Sequence, residues 1–298
     1  MSTQAETIAA AAELRARNRA GWRYMLRELL RDKIVLIMVI FLVVLSMAAI
    51  LSPWILTGNL FDPDYGVARV PPFTEGHIGG TDQLGRDVFS RTIYGARISL
   101  LVGSVSVLIA AVVGITAGLM AGYYGGWIDS VIMRIVDVHL AFPFILLALT
   151  INAIIGLGVR NIIISLAIAG WVEYARIARG EVLVMREREF TQAARLMGAS
   201  NGRIIWKHIF PNITTPLLVT ATLQVAQFII AEASISFLGF GVQPPTPAWG
   251  SMISEGFANI WSSWWMIAVP GIALALVVLA VNLVGDWLRD VLDPRLRR

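Results

Sequence analysis

Few residues in this sequence could do chemistry inside an apolar environment. Glu232 stands in a long hydrophobic block with Gln224 and Gln227 before it, and Asp137 and His139 lie at the edge of another, one turn after Arg134. Ionisable groups in such blocks are candidates for a proton or cation relay, because burying a charge away from water is expensive. Glu232, Gln224 and Gln227 could equally line a substrate path or a partner interface, and Glu232 could simply be hydrogen-bonded to a neighbouring helix. Arg134, Asp137 and His139 could form a structural network at a membrane edge. Other reaction types lack their residues. There is no cysteine, and His77, His139 and His208 are too far apart to give metal-ligand spacing. The two lysines, Lys33 after Asp32 and Lys207 after Trp206, form no Gly-Lys-Ser/Thr phosphate loop. The apolar blocks carry no paired-Asp, His-Glu-x-x-His or Ser/His arrangement for an intramembrane hydrolase.

The elements that must hold these residues are membrane spans. Of 298 residues, 57% are hydrophobic and 15% charged, with a mean hydropathy of +0.71. The apolar residues run in blocks of about 20, the length that crosses a hydrocarbon core. Blocks fall at Ile34 to Ile55, Ile98 to Ala121, Val138 to Ile155, Ile213 to Phe240 and Trp264 to Gly285. A further span starts at Ile162 and must continue through Glu173 and Arg176 to reach sufficient length. The first block lies behind 33 polar and helix-forming residues and ends in Ser52-Pro53-Trp54, which reads as a retained anchor. Gly114, Gly118 and Gly122 recur every four residues and predict a helix face for close backbone packing. Pro143 and Pro270 can kink their spans. The expected fold is an all-α membrane protein with six transmembrane helices, an anchor helix and a five-helix core.

Charge sets the orientation. With both termini inside the cell, 19 of the 24 Lys and Arg fall on the cytoplasmic side. The net charge of +4 and pI near 9.7 therefore read as topology determinants and not as a nucleic-acid site. Residues 1–33 form a basic amphipathic cytoplasmic segment, 34–56 the anchor, 57–97 an external loop and 98–298 the core. In the external loop, Asp82, Arg86, Asp87 and Arg91 either hold the loop together or dock a partner. Trp261, Trp264 and Trp265 suggest an interfacial belt, and Arg295, Arg297 and Arg298 suit anionic lipid.

The cytoplasmic loop 179–212 is long enough to need structure of its own. Phe190, Ala193, Ala194 and Met197 line one apolar helix face, Gly198 supplies a left-handed stop, and Ser200 can cap a second helix. Ile204, Ile205 and Ile209 give that second helix a stripe, and Pro211 is expected to end it. From amphipathicity alone these helices could lie on the bilayer or pack under the spans.

The residue pattern goes further. Gln192-Ala193-Ala194, Gly198-Ala199 and Phe210-Pro211-Asn212 resemble, with the spacing kept, the loop signature of ATP-binding-cassette (ABC) importer permeases. Gln192 replaces the usual Glu, His208 the usual Ile and Phe210 the usual Leu; His208 before Pro-Asn resembles the peptide branch. Gly79-Gly80-Thr81-Asp82, Gly85-Arg86-Asp87, Ser236-Phe237-Leu238-Gly239, Gln243-Pro244-Pro245-Thr246-Pro247 and Gly285-Asp286 resemble dipeptide, oligopeptide and nickel permeases in the same order.

That resemblance implies a type I importer permease of the cytoplasmic (inner) membrane of a bacterium or archaeon. It implies pairing with a second homologous permease, two cytoplasmic ATPase subunits and an external substrate-binding protein. ATP and Mg would be used in the ATPase partners, with no cofactor in this chain, and the cargo would be peptides or a related ligand such as a nickel chelate. The loop residues Phe190, Gln192, Ala193, Ala194, Met197, Gly198, Ala199, Ser200, Arg203, His208 and Pro211 would couple to the ATPase. The competing reading is an ion-coupled transporter acting alone, with Glu232, Asp137 and His139 as its relay.

Overall fold

The computed structural model describes residues 24–56, 60–74 and 76–292. The N-terminal segment up to residue 23 and the tail arginines lie outside the described residues. The first membrane helix, α1 (Lys33–Ile55), starts where the Asp32 carboxylate accepts from the Ile34 and Val35 amides, each at 3.1 Å. The exposed side chains of α1, among them Ile40, Val43, Val44, Met47 and Trp54, gather on one side, which suits contact with lipid, while Ala49, with Phe41, Leu42 and Leu45 of the same helix, seats the other side on the bundle.

The long helix α2 (Val88–Tyr124) begins ten residues before the hydropathy block. Asp87 caps it by accepting from the Ser90 amide at 2.7 Å, so the last part of the expected external loop is helical. Gly114, Gly118 and Gly122 do form the expected packing face. A Cβ on Gly118 would stand 2.5 Å from the Ala175 carbonyl oxygen, and one on Gly122 would stand 2.8 Å from Val182 Cβ. The neighbour they approach is α5 (Val159–Met185), which runs unbroken through Glu173 and Arg176. The span expected from Ile162 is thus part of a 27-residue helix. Gly118→Leu would push a side chain into the α5 backbone. It is expected to cost about 3 kcal/mol, the upper end of the usual overpacking range because backbone stands in the way, read as a lowered unfolding temperature and poor accumulation of the purified protein.

The block from Val138 to Ile155 is not one helix. It divides into α3 (Gly126–Leu140) and α4 (Phe144–Ile155), bent by 92°. Pro143 stands in an extended conformation just before α4, and an X-Pro bond restrains the residue before it from continuing a helix. After α5 comes the short α6 (Glu189–Leu196), then α7, which runs helically from Asn201 to Phe237 with a π-helical stretch at Ile204–Ile209. Pro211 does not end a helix here. It occupies the first turn after the π stretch, where the widened hydrogen-bond ladder tolerates a missing N–H.

The short α8 (Trp249–Phe257) leads to α9 (Trp265–Leu292). Trp261 is exposed, but Trp265 is buried and donates from Nε1 to the Thr81 carbonyl at 3.0 Å, so it anchors the fold and is not part of an interfacial belt. Among the described residues, five helices are long and apolar enough to cross a membrane, or six spans if the bent pair counts as one.

Candidate functional site

Two constructions stand out: the α5–α7 loop, and a cavity at the α3–α4 break. In the loop, α6 turns one face to its own chain. Thr191 Oγ1 donates to the Met185 carbonyl at 2.8 Å, and Ala194 is buried. Ile204, Ile205 and Ile209 of the π stretch are buried in the core beside it. Gly198 adopts φ +80°, the Gly198 amide donates to the Arg195 carbonyl and the Ala199 amide to the Ala194 carbonyl, each at 3.0 Å. This is the Schellman stop, with two bonds closing the last turn of α6. Ser200 occupies the N-cap position of α7 without a side-chain cap bond, so its expected capping role is not fulfilled.

The expected apolar face divides. Of Phe190, Ala193, Ala194 and Met197, only Ala194 packs inward; the other three are exposed, with Met197 at 81%. Leu196, which the helical period placed off that face, is 89% exposed. Sequence reasoning missed both Leu196 and the buried Thr191. Gln192 is exposed and donates to the Glu187 carbonyl at 3.1 Å. Arg203 and Pro211 are exposed, and the His208 carbonyl accepts from Asn212 Nδ2 at 2.6 Å.

The loop is tied to the spans by polar contacts. Tyr123 at the end of α2 donates to Asn201 Oδ1 at 2.9 Å, and the Arg195 guanidinium lies over the Tyr123 ring. Arg186 donates to the Gly122 carbonyl at 3.1 Å, and Arg179 makes a two-pronged pair with Asp129 of α3 at 2.5 and 2.7 Å. A push on the loop therefore meets the ends of α2 and α3 directly.

The cavity, about 550 Å³, opens between α3, α4, α5 and α7. Its lining includes His139, Phe144, Glu173, Arg176, Gln224 and Gln227. Gln224 donates from Nε2 to Glu173 at 2.5 Å, and the His139 Nε2 donates to the Ala169 carbonyl at 3.1 Å. Glu232 lies elsewhere. It is fully buried where α2 meets α7, and its two carboxylate oxygens accept from Ser99 Oγ at 2.8 Å and Ser236 Oγ at 2.7 Å. Arg134 and Asp137 are both exposed, and among the described residues no ion pair joins them. Glu232, Asp137 and His139 are thus not brought into one relay.

Comparison with known proteins decides the family. Residues 114–298 match the family described as the binding-protein-dependent transport system inner membrane component. The chain belongs to that family. The dipeptide transport system permease protein of Alkalihalophilus pseudofirmus is 42% identical over 93% of this chain and 90% of its own length. The glutathione transport system permease protein of Pectobacterium atrosepticum is 40% identical over 94% and 93%. In fold, the chain is similar to one from inward-facing crystals of the MetNI methionine ABC transporter. The TM-score is 0.55 at 20% identity, over 68% of this chain and 97% of that one.

The chain is accordingly a multi-pass inner-membrane permease subunit of a binding-protein-dependent ABC importer, and it is non-catalytic. ATP is used by partner ATPase subunits, and an external binding protein delivers the cargo. The ion-coupled reading falls with this assignment and with the dispersal of its relay residues.

Proposed function

We propose that this permease imports short peptides, paired with a second homologous permease and two cytoplasmic ATPase subunits that use ATP and Mg, with both termini and the α5–α7 loop on the cytoplasmic side. The peptide assignment is supported by relatives named for dipeptide and glutathione transport at 40–42% identity. The loop orientation is supported by the 19 of 24 basic residues that fall on the same side.

The observation that carries the coupling role is the exposed apolar stripe of Phe190, Ala193, Leu196 and Met197 on a helix fastened by its other face. A short helix that buries Thr191 and Ala194 and leaves its larger apolar side chains open fits a socket on a protein partner. In that arrangement, closure of the ATPase dimer moves α6. The movement passes through Tyr123 and Asp129 to α2 and α3, and so to the walls of the cavity.

Copurification is the direct test: the tagged chain is expected to bring down a second hydrophobic subunit and ATPase subunits, and recovery of the chain alone would refute the assembly. Topology has its own test, since the chain has no cysteine. Ser200→Cys should react with an impermeant thiol reagent only after the membrane is opened, whereas Ala258→Cys, in the connection between α8 and α9, should react in intact cells. Labelling of Ser200→Cys from outside would invert the orientation.

A further inference from the structure

The cavity wall carries two opposite charges that no ion pair among the described residues engages. Glu173 and Arg176 are three residues apart on α5, so their Cβ atoms lie on one face about 5–6 Å from each other. Both are exposed, and they do not pair with one another. Glu173 accepts one hydrogen bond, from Gln224; Arg176 has no hydrogen-bond or ion-pair partner among the described residues. Gln224 is itself 3% exposed, and its Oε1 is buried without a hydrogen-bond partner. Gln224 thus holds the Glu173 carboxylate from one side, while Arg176 stands without a partner among the described residues on the same wall.

The remaining walls are apolar and aromatic. Phe142, Phe144 and Phe228 line the cavity, and Phe144 stacks on Phe228 with ring centroids 5.4 Å apart. A neutral ligand would leave both charges uncompensated inside a span, and a simple anion or cation would answer only one. A zwitterion answers both. An extended peptide advances at most about 3.3–3.6 Å per residue, so two residues span about 7 Å between termini, which matches two charged side chains splaying from neighbouring positions on one helix face. The cavity volume of about 550 Å³ suits such a ligand.

We infer that this cavity is a peptide-binding station within the permease, where Glu173 receives the free α-amino group, Arg176 the α-carboxylate, and the three phenylalanines the side chains. Gln224 positions Glu173. The assignment rests on the peptide-importer reading, and binding here requires charged ends but no particular side chain.

The test uses the complete transporter in lipid nanodiscs without its binding protein, so that the permease alone meets the ligand. Gln227, a cavity-lining residue with an exposed side chain, is changed to cysteine, and the rate of its modification by a small thiol reagent is followed. L-alanyl-L-alanine is expected to slow the modification at least fivefold, while its N-acetyl and C-amide derivatives at equal concentration slow it less than twofold. Glu173→Gln should abolish protection by the free dipeptide, and Arg176→Gln likewise, with both variants still assembling. Equal protection by capped and uncapped peptide would overturn the assignment, as would none by the free dipeptide. Uptake into vesicles, with binding protein added, separates the two readings. A transporter that imports the dipeptide while Gln227→Cys stays unprotected refutes only the cavity assignment, whereas one that imports no peptide refutes the reading on which it rests.

Discussion

Membranes carrying the double variant Leu196→Glu, Met197→Glu are expected to hold the permease at its normal level while ATPase association and uptake fall at least a hundredfold. Leu196 and Met197 are among the most exposed apolar side chains of the chain. Their replacement leaves the internal face of α6 intact, because Thr191 and Ala194 make the packing there. Burying each apolar side chain against a partner stabilises by about 1.5–3 kcal/mol, so removing two and inserting two charges weakens docking by ~3 kcal/mol or more. Gly198→Val acts differently. It leaves the stripe chemically unchanged but forces a β-branched residue to φ +80°, at a cost of at least ~1 kcal/mol in strain. Its expected signature is ATP hydrolysis that continues with less uptake per ATP. The readout is ATPase activity and uptake in reconstituted vesicles. Normal coupled uptake by the double glutamate variant would show that this stripe does not meet the ATPase.

The split of the α6 face shows where sequence reasoning stops. A period of 3.6 places Phe190, Ala193, Ala194 and Met197 on one side, yet the pattern is the same whether a stripe faces its own chain or another protein. Ala194 packs inward and Met197 does not, because the buried sector is centred on Thr191 and Ala194, a quarter-turn from the one the apolar letters suggest. Gly198 was legible because a positive φ leaves a residue-type signature at a helix end, and the Gly114, Gly118, Gly122 face because small residues at a four-residue spacing have one principal use. Hydropathy has no direction, so the turn between Leu140 and Phe144 vanished inside a continuous apolar block. Pro211 reads as a stop in the sequence because a proline's cost depends on the ladder around it, and a π-helical turn is not visible in composition. The charges of α5 shortened its apparent span, although Glu173 and Arg176 face a cavity and not lipid. Nothing in the sequence marks Glu255, because its partners Arg86 and Arg91 are more than 160 residues away.

That distant carboxylate leads to the other large effect, which Arg91→Met is expected to produce. Arg91 is 1% exposed. Arg86 donates from Nε to Asp82 at 2.7 Å and from Nη2 to Glu255 at 2.9 Å. Arg91 reaches the same Glu255 oxygen at 3.3 Å, stands 3.7 Å from Asp82 and donates to the Leu60 carbonyl at 3.1 Å. Two guanidinium groups and two carboxylates make a neutral, interlocked cluster that fastens the segment before α2 to α8. The sequence reading offered an external loop held by these charges or a docking surface, and the burial of Asp82, Arg86 and Arg91 favours the first. Removing one arginine leaves an uncompensated carboxylate in a site nearly closed to water, which costs about 3–5 kcal/mol. Removing a charge of each sign costs less, because the remaining Arg86–Asp82 pair is balanced. The double variant Arg91→Met, Glu255→Met should therefore recover at least half of the stability lost by Arg91→Met alone. The double-mutant cycle, followed by thermal unfolding of the purified protein, separates this from simple loss of contacts. Additive losses would mean that the two groups stabilise independently and that the cluster is not a charge-balanced unit.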